Sequence, residues 1–482
     1  MSVMQTTEDL IRNVVQQVLT QMGSGPAPAG ANGHASNGRP PAESGDLGVF
    51  PTVESATAAA EAAFQEFRLR PLLDRKKAVS VIRKICVEQA EELGRLELEE
   101  TQIGRLDHKI AKLRDSIPLI PGVEYLRTDN ASGDAGVTFT DYTPFGVIGS
   151  ITPVTHSLPT LAANAINMLA AGNTVVFNAH PSGRAIAALG VRKFNKAIAE
   201  ATGLQNLLTI IDPPTIETAN GLFASPKVKL LVVTGGPAVA RAALASKRRA
   251  IVAGPGNPPV VVDATADLDL ACRSIVEGAA FDNNLLCIGE KQVFAVGSIF
   301  DKLMETMPKY QGFRLTAPQV ESLTRAAFEN GSDGKPHVRK ELVGKDPAIL
   351  AAHAGVKIPA ATQLLYGETG ADHPFVQVEQ MMPFVPFVKV PDVDRALTLA
   401  HASEHGYGHT AVLHSRDVAV MSRMGRLMDC TIFVVNGSSL AGLGGEAVPS
   451  FSIAGPTGEG VTTPLTFCRQ RRTAIAGGFR FA

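Results

Sequence analysis

The chain has 482 residues, with 45 Lys and Arg against 46 Asp and Glu, and is 45% hydrophobic and 19% charged. At about 150 residues per domain it has room for two or three cores, and a net charge of -1 excludes a global electrostatic pull toward nucleic acid or an anionic membrane. No apolar run approaches the roughly 20 residues of a membrane span, and the five cysteines, Cys86, Cys272, Cys287, Cys430 and Cys468, are too scattered for a disulfide framework or a metal knuckle. A reducing cytoplasm fits this usage.

Residues 1–22 and 23–46 differ from each other and from everything after them. In the first stretch Leu10, Ile11, Val14, Val15, Val18, Leu19 and Met22 recur at the helical interval, and Glu8 and Asp9 suit the positive end of the helix dipole, so an amphipathic helix is predicted. The second, GSGPAPAGANGHASNGRPPAESGD, lacks the apolar surface to offset its ordering entropy and reads as a flexible linker. A short helix on a tether needs a partner surface, so it is expected to dock elsewhere. The alternative is a helix folded back on the body. A secretory signal does not fit, because a basic start and a continuous apolar centre are missing.

From about residue 52 the pattern is regular. Helices are predicted over 52–67 and 73–105, followed by short strands and turns around Val123 to Tyr142. Then come the strand in GVIGSITP, a helix near 159–171, the strand Thr174 to Phe177, a further helix, LLTII, and the strand Lys229 to Val233. Strands separated by helices of ten or more residues imply parallel βαβ units with helices on both faces, a doubly wound α/β fold. KLLVVTGGPAVARAALAS sets Thr234, Gly235 and Gly236 between a buried strand and a helix, where a helix N-terminus offers unpaired N–H groups to phosphate oxygens. Ordinary turn chemistry is the competing reading, since no GxGxxG follows any predicted strand. The alternation then repeats through RAIVAGPGNPPVVVD, a helix over 267–280, the loop FDNN before Cys287, the strand Lys291 to Val296, PFVPFVKV, a helix over 393–404, TAVLHS and TIFVVNGSS. This predicts a second α/β domain. Val137, Phe139 and Tyr142, and the basic end Arg469 to Phe481, read as additional strands able to pair with a neighbouring subunit.

Three of the cysteines read as small core residues: Cys86 shares a helical stripe with Ile82 and Ile85, Cys272 lies inside a helix, and Cys430 abuts a buried strand. Cys287 sits where a helix and the polar loop Asp282-Asn283-Asn284 give way to a strand. There a side chain can face a crevice and local amides can favour its thiolate, so a nucleophile competes with a core residue.

The stretches GVIGSITPVTHSLPT, MLAAGNTVVFNAHP, LLVVTGGPAV, AGPGNPPVVVD, GAAFDNNLLCIGEKQ, HGYGHTA and IAGPTGEGVTTPLTF resemble, in this order, the CoA-acylating aldehyde dehydrogenases of the aldehyde dehydrogenase superfamily, above all those of bacterial microcompartments that act on propionaldehyde and acetaldehyde. The resemblance runs from about residue 50 to the C-terminus, and residues 1–22 look like that group's encapsulation peptide. It implies a Rossmann-like NAD-binding domain over 47–249 with oligomerisation strands at 123–143, a catalytic domain over 250–440, and a C-terminal return and oligomerisation segment over 441–482. It also implies a homo-oligomer, dimer or tetramer, in the microcompartment lumen of the cytoplasm, docked to shell or other cargo through residues 1–22.

The implied reaction is aldehyde + CoA + NAD to acyl-CoA + NADH + a proton, with propionaldehyde first among the substrates. Cys287 adds to the aldehyde carbonyl and carries the acyl group as a thioester. Water-using relatives carry a Glu in an E-L-G-G-K pattern as general base, where this chain has Ala253-Gly254-Pro255-Gly256-Asn257. A CoA thiol needs far less activation, so transfer to CoA is expected. The resemblance assigns cofactor contacts to Thr152, Pro153, Thr234, Gly235, Gly236 and Glu379, the last on the nicotinamide ribose, with a solvated loop carboxylate as the bland reading of Glu379. The oxyanion donor departs from the family pattern: after Thr152-Pro153 the chain reads Val154-Thr155-His156 where relatives offer an Asn, leaving His156 or Thr155 beside the Cys287 amide. The superfamily's ribose-holding Lys and Glu fall on Asn178 and Pro181, so NAD over NADP rests on the microcompartment group and no metal is implied.

Two rival readings remain. His401-Ala402-Ser403-Glu404-His405 spells H-x-x-E-H, and on an unbroken helix His401 and His405 could bind zinc for a peptidase, although Gly406 and Gly408 should end that helix. The other is an inactive microcompartment cargo or scaffold that keeps the fold, against which the intact Cys287 loop stands.

Overall fold

The computed structural model describes residues 46–331, 334–444 and 447–478. The expected helix over 1–22 lies outside them, as does the linker over 23–46 except for Asp46. Among the described residues the chain builds a six-stranded sheet, a seven-stranded sheet, a three-stranded sheet and two ribbons of two strands. No helix among them is long and apolar enough to cross a membrane.

The six-stranded sheet is parallel throughout, in the order Val49–Phe50, Leu208–Ile211, Thr174–Ala179, Val147–Thr152, Val228–Thr234, Ala250–Ala253. Its central strands are buried on both faces, which explains their unbroken apolar runs. Val175, Phe177, Leu230 and Val232 point to the side packed by helices Leu72–Glu88, Ser157–Ala170 and Arg184–Thr202, while Val176, Leu231 and Val233 point to the side packed by Val53–Phe67 and Ile216–Ala224. The predicted helix over 73–105 is two helices, Leu72–Glu88 and Ala90–Thr101, broken at Gln89. From Val147 onward the strand order reverses between Val147–Thr152 and Val228–Thr234, and a doubly wound sheet offers its ligand crevice at the carboxyl ends of such a pair.

The seven-stranded sheet is also parallel, in the order Gly312–Arg314, Leu364–Glu368, Phe384–Val390, Gln292–Val296, Pro259–Val262, Thr410–His414, Ile432–Val435. Ala250–Ala253 pairs with Leu231–Thr234, so it is the edge strand of the first sheet and the boundary expected at 249/250 falls one strand early. Residues 254–258 alone carry the chain from Ala253 to Pro259, a reach of at most about 20 Å. The carboxyl edge of the first sheet is thereby joined to the amino edge of the second.

The additional strands pair with each other. Gly136–Pro144 lies between Asp129–Gly133 and Cys468–Ala476, antiparallel to both, and the last strand is exposed along almost its whole length. The return segment also reaches inward: Thr457 Oγ1 accepts the Val252 N–H at 3.0 Å, and Ile453–Ala454 pairs with Gly460–Val461.

Candidate active site

Cys287 lies at the amino edge of the second sheet, between helix Leu268–Ala280 and strand Gln292–Val296. The turn leading to it is unusual, because Asp282, Asn283 and Asn284 all have left-handed backbone, with φ of 50°, 55° and 63°. Asp and Asn tolerate this conformation better than other residues that carry a Cβ, which is why the sequence reads D-N-N there. Each also has a buried tether. Asp282 accepts the Arg105 N–H at 2.8 Å, Asn283 Nδ2 donates to the Gly344 carbonyl at 2.9 Å, and Asn284 Nδ2 donates to the Glu290 carbonyl at 3.0 Å.

Lys291, which sequence reasoning passed over as the start of a strand, is fully buried beneath this turn. Its Nζ donates to the carbonyls of Asn284 at 2.8 Å and Leu286 at 3.0 Å. Glu290 is buried beside it, accepting the Ser439 N–H at 2.8 Å and hydroxyl at 2.7 Å. The only hint in the sequence is a charged pair set directly against an apolar strand.

The surroundings of Cys287 favour its neutral thiol. Burial, followed by the negative charge of Glu379, pushes it up to about 12, against the opposing pull of Lys291 and the amides of Cys287 and Ile288. The expectation that local amides favour the thiolate is therefore corrected: they act in that direction, but desolvation outweighs them. Burial also raises Glu379 to about 7 and lowers Lys291 to about 8, each opposed by the other's charge. Glu379 is half-buried and its carboxylate accepts the Gly256 N–H, so it is not a solvated loop residue. Gly256 in turn lies against Cys287, whose carbonyl a Cβ at position 256 would meet at 2.5 Å. His409, from the HGYGHTA turn, closes the same side of Gly256, and burial lowers it to about 4.

From the first sheet, Thr152 ends its central strand and Pro153 follows it. Thr152 is buried and its Oγ1 has no partner. His156 is the residue before helix Ser157–Ala170, buried, with Nε2 3.2 Å from Thr155 Oγ1 and Nδ1 without a partner. Burial, then the charges of Lys112 and Lys109, holds its imidazole well below the usual range. Phe451 tilts against the His156 ring at 6.0 Å, and two residues on, Ile453 packs in the cluster that includes Cys287, so the return segment brings the two loops together. Thr234 is half-buried, its Oγ1 2.7 Å from Ser452 Oγ of the same segment. Gly235 and Gly236 do not have left-handed backbone; a Cβ on Gly236 would meet nothing within 4 Å and one on Gly235 only Val239. The chain itself does not demand glycine there, and the space stands open before helix Pro237–Ala245. Asn178 is engaged by the Thr218 hydroxyl at 2.8 Å.

The zinc spelling does not form. Helix Val393–Ser403 ends before Glu404, His405 has left-handed backbone with φ of 61°, and buried Glu404 accepts the His409 N–H at 2.9 Å. The glycines after His405 end the helix, so the two histidines do not share an unbroken helical face. Among the described residues no group of three or more His, Cys, Asp or Glu could hold a metal ion.

A doubly wound sheet joined at its switch-point side to a second parallel sheet with a half-buried cysteine on its amino edge defines a two-sheet α/β enzyme of dinucleotide type. The chain belongs to the aldehyde dehydrogenase family, which residues 49–323 match. It is similar to the acetaldehyde dehydrogenase (acetylating) EutE of Salmonella typhimurium, 43% identical over 90% of this chain and 94% of that one. Among solved structures it resembles Rhodopseudomonas palustris propionaldehyde dehydrogenase with bound CoA and an acylated cysteine, with 42% identity, TM-score 0.86, and coverage of 89% of this chain and 98% of that. It also resembles a propionaldehyde dehydrogenase from the fucose utilisation bacterial microcompartment of Clostridium phytofermentans, with 38% identity, TM-score 0.86, and coverage of 89% and 98%.

Proposed function

We propose that the protein is a CoA-acylating aldehyde dehydrogenase that converts propionaldehyde or acetaldehyde, CoA and NAD to the acyl-CoA, NADH and a proton, with Cys287 carrying the acyl group. The observation that carries this reading is the pairing of a half-buried cysteine at the crevice with a small buried residue, Ala253, where water-using relatives place a glutamate. Residues 47–253 form the dinucleotide half and residues 254–440 the catalytic half.

The crevice suits a dinucleotide in three respects: the switch point, the open space at Gly235 and Gly236, and the unpartnered Thr152 hydroxyl. A neutral imidazole whose Nε2 accepts the Thr155 hydroxyl carries its proton on Nδ1, the atom left without a partner. His156 then donates to the alkoxide beside the Cys287 N–H, with Thr155 setting the tautomer. Lys291 holds the turn under Cys287, and Glu379, at about 7, takes up the nicotinamide ribose. Bound NAD supplies the hydride acceptor. With no carboxylate at 253 to activate water, the thioester waits for the CoA thiol, which attacks the acyl carbon and releases the Cys287 sulfur.

Steady-state turnover of two- to four-carbon aldehydes with NAD and with NADP, identifying the product as thioester or free acid, tests the reaction. Cys287→Ala should abolish acyl-CoA synthesis while NAD still binds, and retained synthesis would refute the assignment. The likeness to microcompartment enzymes supports a place in such a compartment, with residues 1–22 as the docking helix. Deleting them should leave soluble activity unchanged and release the protein from shell particles. An equal loss of catalysis would show that they belong to the enzyme body.

A further inference from the structure

We propose that Lys112 is a positioning residue for the chemistry of Cys287, acting through Asp282 in a buried ionic device that ties the nucleophile turn to the loop carrying His156. The inference rests on the reading of Cys287 as the acyl carrier. Lys112 and Asp282 stand 170 residues apart in sequence, yet Lys112 Nζ lies 2.5 Å from Asp282 Oδ2 with both side chains wholly excluded from solvent. Asp282 is the first of the three left-handed residues that lead to Cys287. Its Oδ1 accepts the Arg105 N–H at 2.8 Å, and its own N–H donates to His108 Nδ1 at 2.8 Å. Gly104, at φ +85°, has no room for a Cβ because the Asp282 carboxylate fills that space.

A second buried pair lies one helical turn earlier. Lys109 Nζ is 3.3 Å from Glu97 Oε1, again with both side chains fully buried, and the same Oε1 accepts the N–H of Ser157, the residue after His156, at 3.1 Å. Lys109 and Lys112 are successive inward positions of one segment, at the passage from helix Leu106–Ala111 to a wide π-helical turn, Lys112–Ser116. Such turns are rare and recur at functional sites. One segment thus grips both loops of the crevice.

A buried ion pair is a poor way merely to hold a fold, because apolar residues of similar volume do so without the desolvation penalty. What the pairs add here is geometry and charge. They fix the start of a strained turn, they fix the residue next to His156, and the lysine charges oppose protonation of its imidazole.

The double variant Lys112→Met/Asp282→Asn removes both charges together. Asn keeps the acceptor for Arg105 and tolerates the left-handed backbone, and Met keeps most of the lysine stem volume. We expect kcat with propionaldehyde to fall at least tenfold and alkylation of Cys287 by iodoacetamide to slow in proportion, with KM for NAD within twofold and an unchanged circular dichroism spectrum. Lys112→Arg, which keeps the charge, should retain at least half of kcat. Wild-type kcat and alkylation in the double variant would overturn the proposal, as would a parallel loss of NAD binding and kcat. Where the double variant is not recovered in soluble form, Asp282→Asn alone is measured, and an unchanged kcat there overturns it equally. Failure of the Cys287 reading is seen separately, as acyl-CoA synthesis that survives Cys287→Ala.

Discussion

Glu379→Gln separates the reactivity of the thiol from the binding of cofactor. With its carboxyl at about 7, Glu379 is about 90% ionised at pH 8 and about 10% at pH 6 in the cofactor-free enzyme, and its charge is the second cause, after burial, of the high proton affinity of Cys287. A neighbouring opposite charge moves a group by about 1–3 pH units, and a like charge at similar range acts with the reverse sign. Taking about one unit, the variant holds about tenfold more thiolate at pH 8, and the lower basicity of that thiolate cuts its intrinsic reactivity about threefold, so alkylation should run about threefold faster than wild type. At pH 6 the wild-type carboxyl is already protonated and the two rates should converge. The same variant should raise KM for NAD, since an amide is a weaker acceptor than a carboxylate. The assay is iodoacetamide labelling of Cys287 followed by mass spectrometry at both pH values, with steady-state kinetics alongside. A variant-to-wild-type ratio that is equal at pH 6 and pH 8 would show that the Glu379 charge does not reach the sulfur.

Lys291→Met should slow Cys287 labelling, because the one side-chain charge that lowers the thiol proton affinity is lost. It should also destabilise the fold by about 2–4 kcal/mol: buried acceptors on Asn284 and Leu286 are left unpaired at about 1–3 kcal/mol each, partly offset by no longer burying a charge. Urea unfolding measures the loss, and faster labelling would contradict the assigned role. His414 is buried with neither ring nitrogen partnered, and burial lowers it from 6.5 to about 4. Between these values the unfolded chain binds a proton that the folded chain refuses, so His414 weakens the fold as pH falls through 6.5; between pH 7 and pH 5 this amounts to about 2 kcal/mol. The wild-type profile also contains Glu290 and Glu379, both raised to about 7, which act in the opposite direction between 4.5 and 7. His414→Leu should therefore gain about 2 kcal/mol at pH 5 relative to pH 7 when compared with wild type, and parallel stability profiles for the two proteins would refute the assignment. Ala253→Glu restores a carboxylate where water-using relatives carry their base, so free acid should rise as a share of product when CoA is limiting. A product that stays entirely thioester would show that the missing base does not decide the acceptor.

Much of this architecture was legible in local pattern. The continuous apolar runs at 174–179 and 228–234 mark strands covered on both faces, and the helices between them imply the parallel crossovers found in the first sheet. Asp282-Asn283-Asn284 announces a turn because these side chains tolerate left-handed backbone, and Ala253 stands where, by the resemblance, water-using relatives carry their hydrolytic base. The sequence by itself therefore determined the fold class, which depends on the period of side chains, whereas the reading of Cys287 as acyl carrier and of CoA as acceptor came from the resemblance of ordered motifs to CoA-acylating relatives. Only the tertiary structure decided which charges are buried together: Lys112 on Asp282 across 170 residues, Lys291 turned beneath Cys287, and Glu379 drawn to the Gly256 amide. Proton affinities follow from desolvation and from neighbours that periodicity does not reveal, which is why burial and the Glu379 charge, and not the local amides, set the proton affinity of the Cys287 thiol.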